Sequence, residues 1–216
     1  MGKDERKGAR RDRTQKTSKR VPKLGYYVVV TDTRATERNY LYGFRDSIPS
    51  SMRDRIVIKV SNAPTHELLA KCLEISATEP QYRKPWIVLD RDEVSNFDKI
   101  IDESKKQGVE VGWSNPCIEI WFQAYFGEMP VYQTSTQCNV GFGKTFKDNV
   151  GQAYDKASSD NYQKICRSGD ERKAIELAES RYCQQCEICN KPSKMLSTTT
   201  LHHLISEIME KIRTKE

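Results

Sequence analysis

The sequence predicts an open, mostly parallel α/β sheet flanked by helices, with a C-terminal helical extension. Three observations predict it. Short runs rich in β-branched and aromatic residues alternate with helix-periodic segments over residues 26–126, the pattern of repeated βαβ units. The clearest of these runs are continuously apolar rather than alternating, as strands covered on both faces require. Acidic residues follow them, at the carboxyl ends where such sheets bind ligands.

The elements follow in order. Tyr26-Tyr27-Val28-Val29-Val30-Thr31 is a strand closed by Asp32. A helix starts within Thr33–Phe44, with Tyr40, Leu41 and Phe44 on one face. A second strand spans Arg55 to Val60, and Pro64 suits the first turn of a helix through about Ser76,. Trp86-Ile87-Val88-Leu89 is a short buried strand running into Asp90-Arg91-Asp92-Glu93. Ser95-Asn96-Phe97-Asp98 resembles a capping box, opening a helix that ends at Lys105, Lys106 and Gly108,. Val109 to Ser114 is a fourth strand, and Asn115-Pro116 is expected to cap the helix carrying Ile118, Ile120, Trp121 and Phe122,.

Residues 128–143 show little periodicity and read as a loop or insertion; helices are expected around 149–157, 160–167, 170–182 and 199–213. The domain reading is therefore a basic arm over 1–23, an α/β domain over 24–127, and a loop with C-terminal helices packed on the sheet over 128–216. Gly141-Phe142-Gly143-Lys144-Thr145 lacks the spacing of a phosphate-binding loop and follows no strand, so it is set aside,.

Charge is unevenly placed. Of 36 basic and 30 acidic residues, ten basic and three acidic lie in residues 1–23, leaving 26 and 27 in the body. The arm reads as disordered in isolation. Its Arg6, Lys7, Arg10, Arg11, Arg13, Lys19 and Arg20 are candidate contacts to nucleic-acid phosphates,; a solubilising or partner-binding tail is the alternative. The arm has no apolar run, so neither a signal peptide nor a membrane span is expected there. Seven cysteines without a leader point to reduced thiols and a cytoplasmic location,. Self-association is left open.

Asp90 and Asp92 are two residues apart, so on an extended chain their carboxylates point the same way. Their repulsion would be relieved by a hard divalent cation, Mg²⁺ or Mn²⁺. Asp32, Glu37 and Glu119 lie at or near other strand ends, so five carboxylates are expected to converge on one sheet edge,. Cys183, Cys186 and Cys189 are spaced to ligate structural Zn²⁺, with His203, His202, Cys166 or Cys138 as the fourth ligand; free thiols at a helix end are the alternative,.

So aligned, the chain resembles the RloB-like family, a branch of the TOPRIM domains related to OLD-type nucleases. The resemblance is carried by Val30-Thr31-Asp32-Thr33-Arg34-Ala35-Thr36-Glu37-Arg38-Asn39-Tyr40, by Val88-Leu89-Asp90-Arg91-Asp92-Glu93 and by Ser114-Asn115-Pro116-Cys117-Ile118-Glu119-Ile120-Trp121. Tyr154-Asp155-Lys156 and Ser197-Thr198-Thr199-Thr200-Leu201-His202 match more weakly. It implies a TOPRIM sheet whose acidic strand ends bind Mg²⁺ and cut or join phosphodiesters, encoded near restriction and phage-defence loci and often beside an AAA- or ABC-type ATPase. One departure stands out: TOPRIM families place Glu-Gly after the first strand, and this chain has Asp32-Thr33.

The expected chemistry is metal-assisted hydrolysis of RNA or DNA. Asp90, Asp92 and Glu119, with Glu37, hold metal; Asp32 and Glu37 serve as the catalytic carboxylates. By the motif match Lys156 stabilises the developing phosphate charge, with Lys144 in reserve. The rival reading is a nucleic-acid- or partner-binding module with an inert acidic cluster, which the Asp32-Thr33 departure favours.

Overall fold

The computed structural model describes residues 25–32, 35–53, 55–78, 84–92 and 94–214. The basic arm and its candidate phosphate contacts lie outside these residues, as do Thr33, Arg34 and Glu93. Five strands form one sheet: β1 (Gly25–Thr31), β2 (Ile56–Asn62), β3 (Lys84–Asp90), β4 (Glu110–Asn115) and β5 (Thr198–Thr199). Their order is β2-β1-β3-β4-β5, with β1 to β4 parallel and β5 antiparallel to β4. The chain leaves β1 toward β2 on one side and returns to β3 on the other. That reversal opens a crevice beyond the carboxyl ends of β1 and β3, the place where sheets of this winding take ligands.

Alternation along β1 sets the two faces. Tyr27 and Val29 pack with α1 (Thr36–Ser47) and the later helices, while Val28 and Val30 pack with α2 (Leu68–Thr78) and α3 (Phe97–Lys106). The first face is the larger. It also takes residues from α4 (Glu119–Ala124), α5 (Ser135–Val150), α6 (Asn161–Ser168), α7 (Glu171–Ile188) and α8 (Leu201–Arg213). The C-terminal helices thus share one core with the sheet. Behind the crevice, buried polar groups are paired off in a chain: Trp121 Nε1 donates to the Tyr40 hydroxyl at 2.8 Å, Tyr40 and Tyr125 hydroxyls meet at 2.8 Å, and Tyr125 donates to Glu171 at 2.8 Å. A buried hydroxyl left unpaired would be costly, so the chain fixes how α1, α4 and α7 seat together.

Several elements differ from the expectations. The stretch read as loop contains α5, whose start is capped by Thr134 accepting from the Gln137 backbone N–H at 3.2 Å. Cys138, Phe142 and Phe146 recur every fourth residue and are fully buried, which outweighs the helix cost of Gly141 and Gly143,. The helix expected at 149–157 is instead a loop after Gly151, which sits at φ +77° and stops α5,. α7 runs to Ile188, beyond the expected 182. Asn115 ends β4 and its side-chain amide donates to the Pro192 carbonyl at 3.1 Å, so it does not cap α4, which begins at Glu119. Asp98 does not close a capping box; it accepts from the Ser193 backbone N–H and hydroxyl at 2.8 and 2.6 Å. Thr198–Thr199, expected near a helix start, is the short edge strand β5.

Candidate active site

Four carboxyl groups gather at the crevice, each placed by a different element. Asp32 follows β1, Glu37 is the second residue of α1, Asp90 ends β3, and Glu119 opens α4. Glu37 and Glu119 are each only 1 % exposed, and Asp90 is also buried. Burying acids together is unfavourable unless protons or cations compensate. Burial pushes Glu37 up to about 7, with Asp32 and Glu119 adding repulsion against its hydrogen bond to Asp90. Asp90 is held well above the usual carboxylate range by burial, then by Glu37. Burial likewise raises Asp32 to about 6, partly offset by hydrogen bonds from its own backbone and the Thr65 hydroxyl at 3.4 Å.

Two oxygens here are buried without an ordinary donor, Asp32 Oδ1 and Asp90 Oδ1. The other Asp90 oxygen accepts the Ile118 backbone N–H at 3.0 Å. The group hydrogen-bonded to Asp90 is another carboxyl, Glu37, which requires a shared proton. Clustered carboxyl oxygens, two of them buried without an ordinary donor, suit a hard divalent cation such as Mg²⁺ or Mn²⁺,.

Asp92 is placed differently from the sequence argument. β3 ends at Asp90, so the period-two relation does not carry past it. Asp92 sits in a turn at φ +28° and is exposed. Its backbone N–H donates to the Pro116 carbonyl at 3.0 Å, and the Arg91 N–H donates to Ser114 at 2.8 Å, tying the turn to the end of β4. It still lies close enough to Asp32 to raise that group. Beside it opens a polar cleft of about 320 Å³ lined by Arg91, Asn115, Thr134, Ser135, Thr136 and Ser193 among others, at the start of α5, where helix-end N–H groups favour anions.

Lys156 joins the carboxyls. Its ammonium is 3.2 Å from Glu119 Oε1 and half-exposed. Burial lowers its pKa and Glu119 more than offsets this, so it stays a firm cation. Tyr154, which the sequence reading quoted without assigning a role, donates to the same Glu119 oxygen at 3.1 Å. The loop that carries both is pinned by Asn39 Nδ2 donating to the Ala157 carbonyl at 2.9 Å and Asn161 Nδ2 to the Asp155 carbonyl at 2.8 Å. Lys144, the reserve cation, lies inside α5 away from these contacts and lines a different cleft with Glu128, Tyr132 and Asp148.

Of the expected cysteine set, Cys183 and His203 both contact Glu179. Cys183 and Cys186 are exposed on α7 and Cys189 follows its end. Cys183 donates to Glu179, whereas Cys189 donates to the Lys191 carbonyl. His202 and His203 both meet Glu179 instead. Glu179 was not legible as a partner because it lies 23 and 24 residues from the histidines; its only local signal is the one-turn spacing to Cys183 on α7.

Among the described residues, no helix is long and apolar enough to cross a membrane. A family model described as RloB-like protein matches residues 27–208. No curated protein and no solved structure matches the chain.

Proposed function

Because the chain belongs to the RloB-like protein family, we propose that it is a metal-dependent phosphodiesterase acting on RNA or DNA, with the crevice between β1 and β3 as its active site. The observation that carries this reading is the buried Glu37–Asp90 carboxyl pair, in which Asp90 Oδ1, like Asp32 Oδ1 nearby, has no ordinary donor. Asp90, Glu37 and Glu119, with Asp92 at the rim, would hold Mg²⁺ or Mn²⁺. When bound, the ion lowers the pKa of water and screens phosphate charge.

The chain's own groups supply the rest. Glu119 orients Lys156 through their ion pair, and Lys156, half in solvent, donates to a phosphate oxygen as charge builds there,. Tyr154 holds Glu119 in place and, with a hydroxyl that burial keeps protonated, stays a donor. Asp32, which burial raises to about 6 and so leaves a carboxylate of increased basicity at neutral pH, accepts a proton from an attacking water,. The hydroxyl-lined cleft at the start of α5 receives the flanking phosphate. A role as effector of an anti-phage defence system, with an AAA- or ABC-type ATPase partner, belongs to the same proposal.

The test is a nuclease assay on RNA and DNA with Mg²⁺ or Mn²⁺, alongside Mn²⁺ calorimetry, for the parent and Asp90→Asn/Asp92→Asn. Activity and Mn²⁺ binding are expected in the parent, and both are lost in the double variant. Mn²⁺ binding unchanged by it would place the metal elsewhere. A catalytically inert binding module is the second reading, favoured by one observation: Asp32 is a methylene shorter than the usual Glu. Nucleic-acid binding without cleavage under every metal condition would select it.

A further inference from the structure

The one place among the described residues where three ligand atoms of His, Cys, Asp or Glu lie within 4.8 Å of one another is away from the crevice: Glu179, His202 and His203. Glu179 is on α7 and the two histidines form the first turn of α8. Both imidazoles direct Nε2 at the same carboxylate oxygen, Glu179 Oε2, at 2.7 Å from His202 and 3.1 Å from His203. Their ring centroids are 4.2 Å apart, and Tyr182 packs edge-on against His203 at 5.3 Å. We propose that Glu179, His202 and His203 form a binding site for a zinc-class transition-metal ion, which clasps α7 to the start of α8.

Three features argue for a metal rather than for a simple hydrogen-bonded cluster. First, ligands of a tetrahedral zinc with bonds of about 2.0–2.1 Å stand roughly 3.3 Å apart. The observed 2.7 and 3.1 Å separations reach that spacing with small side-chain movements. Second, the ligand set of two imidazoles and one carboxylate is one zinc commonly takes. Third, the proton inventory of His202 favours it. This ring is 1 % exposed, and its Nδ1 faces the Thr199 carbonyl without forming a hydrogen bond of good geometry. A neutral imidazole has one ring proton. With that proton on Nε2, donated to Glu179, the Nδ1 lone pair opposes a carbonyl oxygen. Metal on Nε2 requires the proton on Nδ1, and a small ring rotation would turn that N–H onto the Thr199 backbone, the kind of partner that orients metal-bound histidines generally,.

The site needs no thiolate from the Cys183, Cys186 and Cys189 run. Cys183 is the closest of that run by contact, its thiol donating at 3.3 Å to the other Glu179 oxygen. The fourth position is therefore left to solvent. α8 leads directly from β5, so a metal here would also anchor the sheet's last strand.

The experiment uses the full chain, stripped with a chelator and titrated with Zn²⁺ by calorimetry and thermal melting. The Asp90→Asn/Asp92→Asn background is run in parallel to remove binding at the crevice. One equivalent of zinc and a raised melting temperature are expected in the Asp90→Asn/Asp92→Asn background, and at least that in the parent. His203→Ala and Glu179→Gln, at residues that are about half exposed and so tolerate change, are expected to weaken binding by about 100-fold or more. The Cys183→Ser/Cys186→Ser/Cys189→Ser chain is expected to bind as the parent does. Absence of zinc binding in the Asp90→Asn/Asp92→Asn background, or zinc binding there that survives His203→Ala and Glu179→Gln, would overturn the assignment.

Discussion

Glu37 and Asp90 are both acids, both buried, and hydrogen-bonded to each other. One proton must stand between them whenever no cation does, and this has a measurable consequence. Burial raises Glu37 from 4.5 to about 7, so the folded chain favours its neutral form. The stabilising contribution is complete below the unfolded value and is lost as pH rises through the folded one. The metal-free protein is therefore expected to lose on the order of a few kcal/mol between about pH 4.5 and 7 from this pair,. Asp32, only partly buried, adds less. Denaturant unfolding across that range, with chelator and with excess Mg²⁺, measures it: the chelated protein should weaken as pH rises and the Mg²⁺-loaded protein should not. A flat curve with chelator would show that the two acids are not protonated together.

Asp32→Ala is expected to remove the proposed nuclease activity, and Asp32→Glu to retain or raise it by restoring the longer reach that the sequence resemblance to TOPRIM domains leads one to expect. A displacement of about 1 Å in a reacting group costs on the order of 100-fold, so the parent rate alone does not decide between a slow enzyme and an inert one. Rates of all three chains under identical Mn²⁺ do. Equal rates in the parent and Asp32→Ala would remove Asp32 from the chemistry.

Lys156→Met should lower the rate by about 100-fold or more while Mn²⁺ affinity changes little, because Lys156 opposes Glu119 rather than ligating metal. Lys156→Arg should recover part of the loss. Full activity in Lys156→Met, followed by single-turnover cleavage, would exclude the lysine from the reaction.

Gly43→Ala tests how α1 is held. A Cβ at this position would stand 2.4 Å from Tyr162 Cβ, an atom fixed by the α6 backbone. Helix α1 must move away from α6, at a cost of about 1–3 kcal/mol. The same shift disturbs the Asn39–Ala157 contact that pins the Lys156 loop, so the melting temperature and the nuclease rate should fall together. An unchanged melting temperature would contradict the close packing of α1 on α6.

The parts of the fold that were legible are those in which local signal and burial agree. Val28 to Val30 and Ile87 to Leu89 are apolar without interruption because both sheet faces are covered, and each run is closed by an acid. Helix α5 was not legible: Gly141 and Gly143 argue against a helix locally, and only tertiary burial of Cys138, Phe142 and Phe146 decides for one. The two residues of β5 carry no periodicity of their own and are a strand only through pairing with Ser114 and Asn115. At the site, Asp32, Glu37, Asp90 and Glu119 could be placed because strand ends are predictable from strands. The exposure of Asp92 could not, since it follows from a turn one residue past the strand. The Glu179–histidine cluster joins residues more than twenty apart, which spacing rules do not reach.

The pinning of Tyr154 and Lys156 to α1 and α6 bears on how a cell could make this protein. Translation delivers all four acids of the crevice by residue 119, yet their cation arrives at 156 and the helices that complete the core behind them arrive later still. If the proposed chemistry holds, a nascent or prematurely ended chain carries an acidic edge with no lysine to complete it. Truncations ending before Lys156 should therefore be harmless when expressed at levels where the full chain impairs growth. A toxic fragment ending at residue 150 would show that the activity does not wait for the chain to finish.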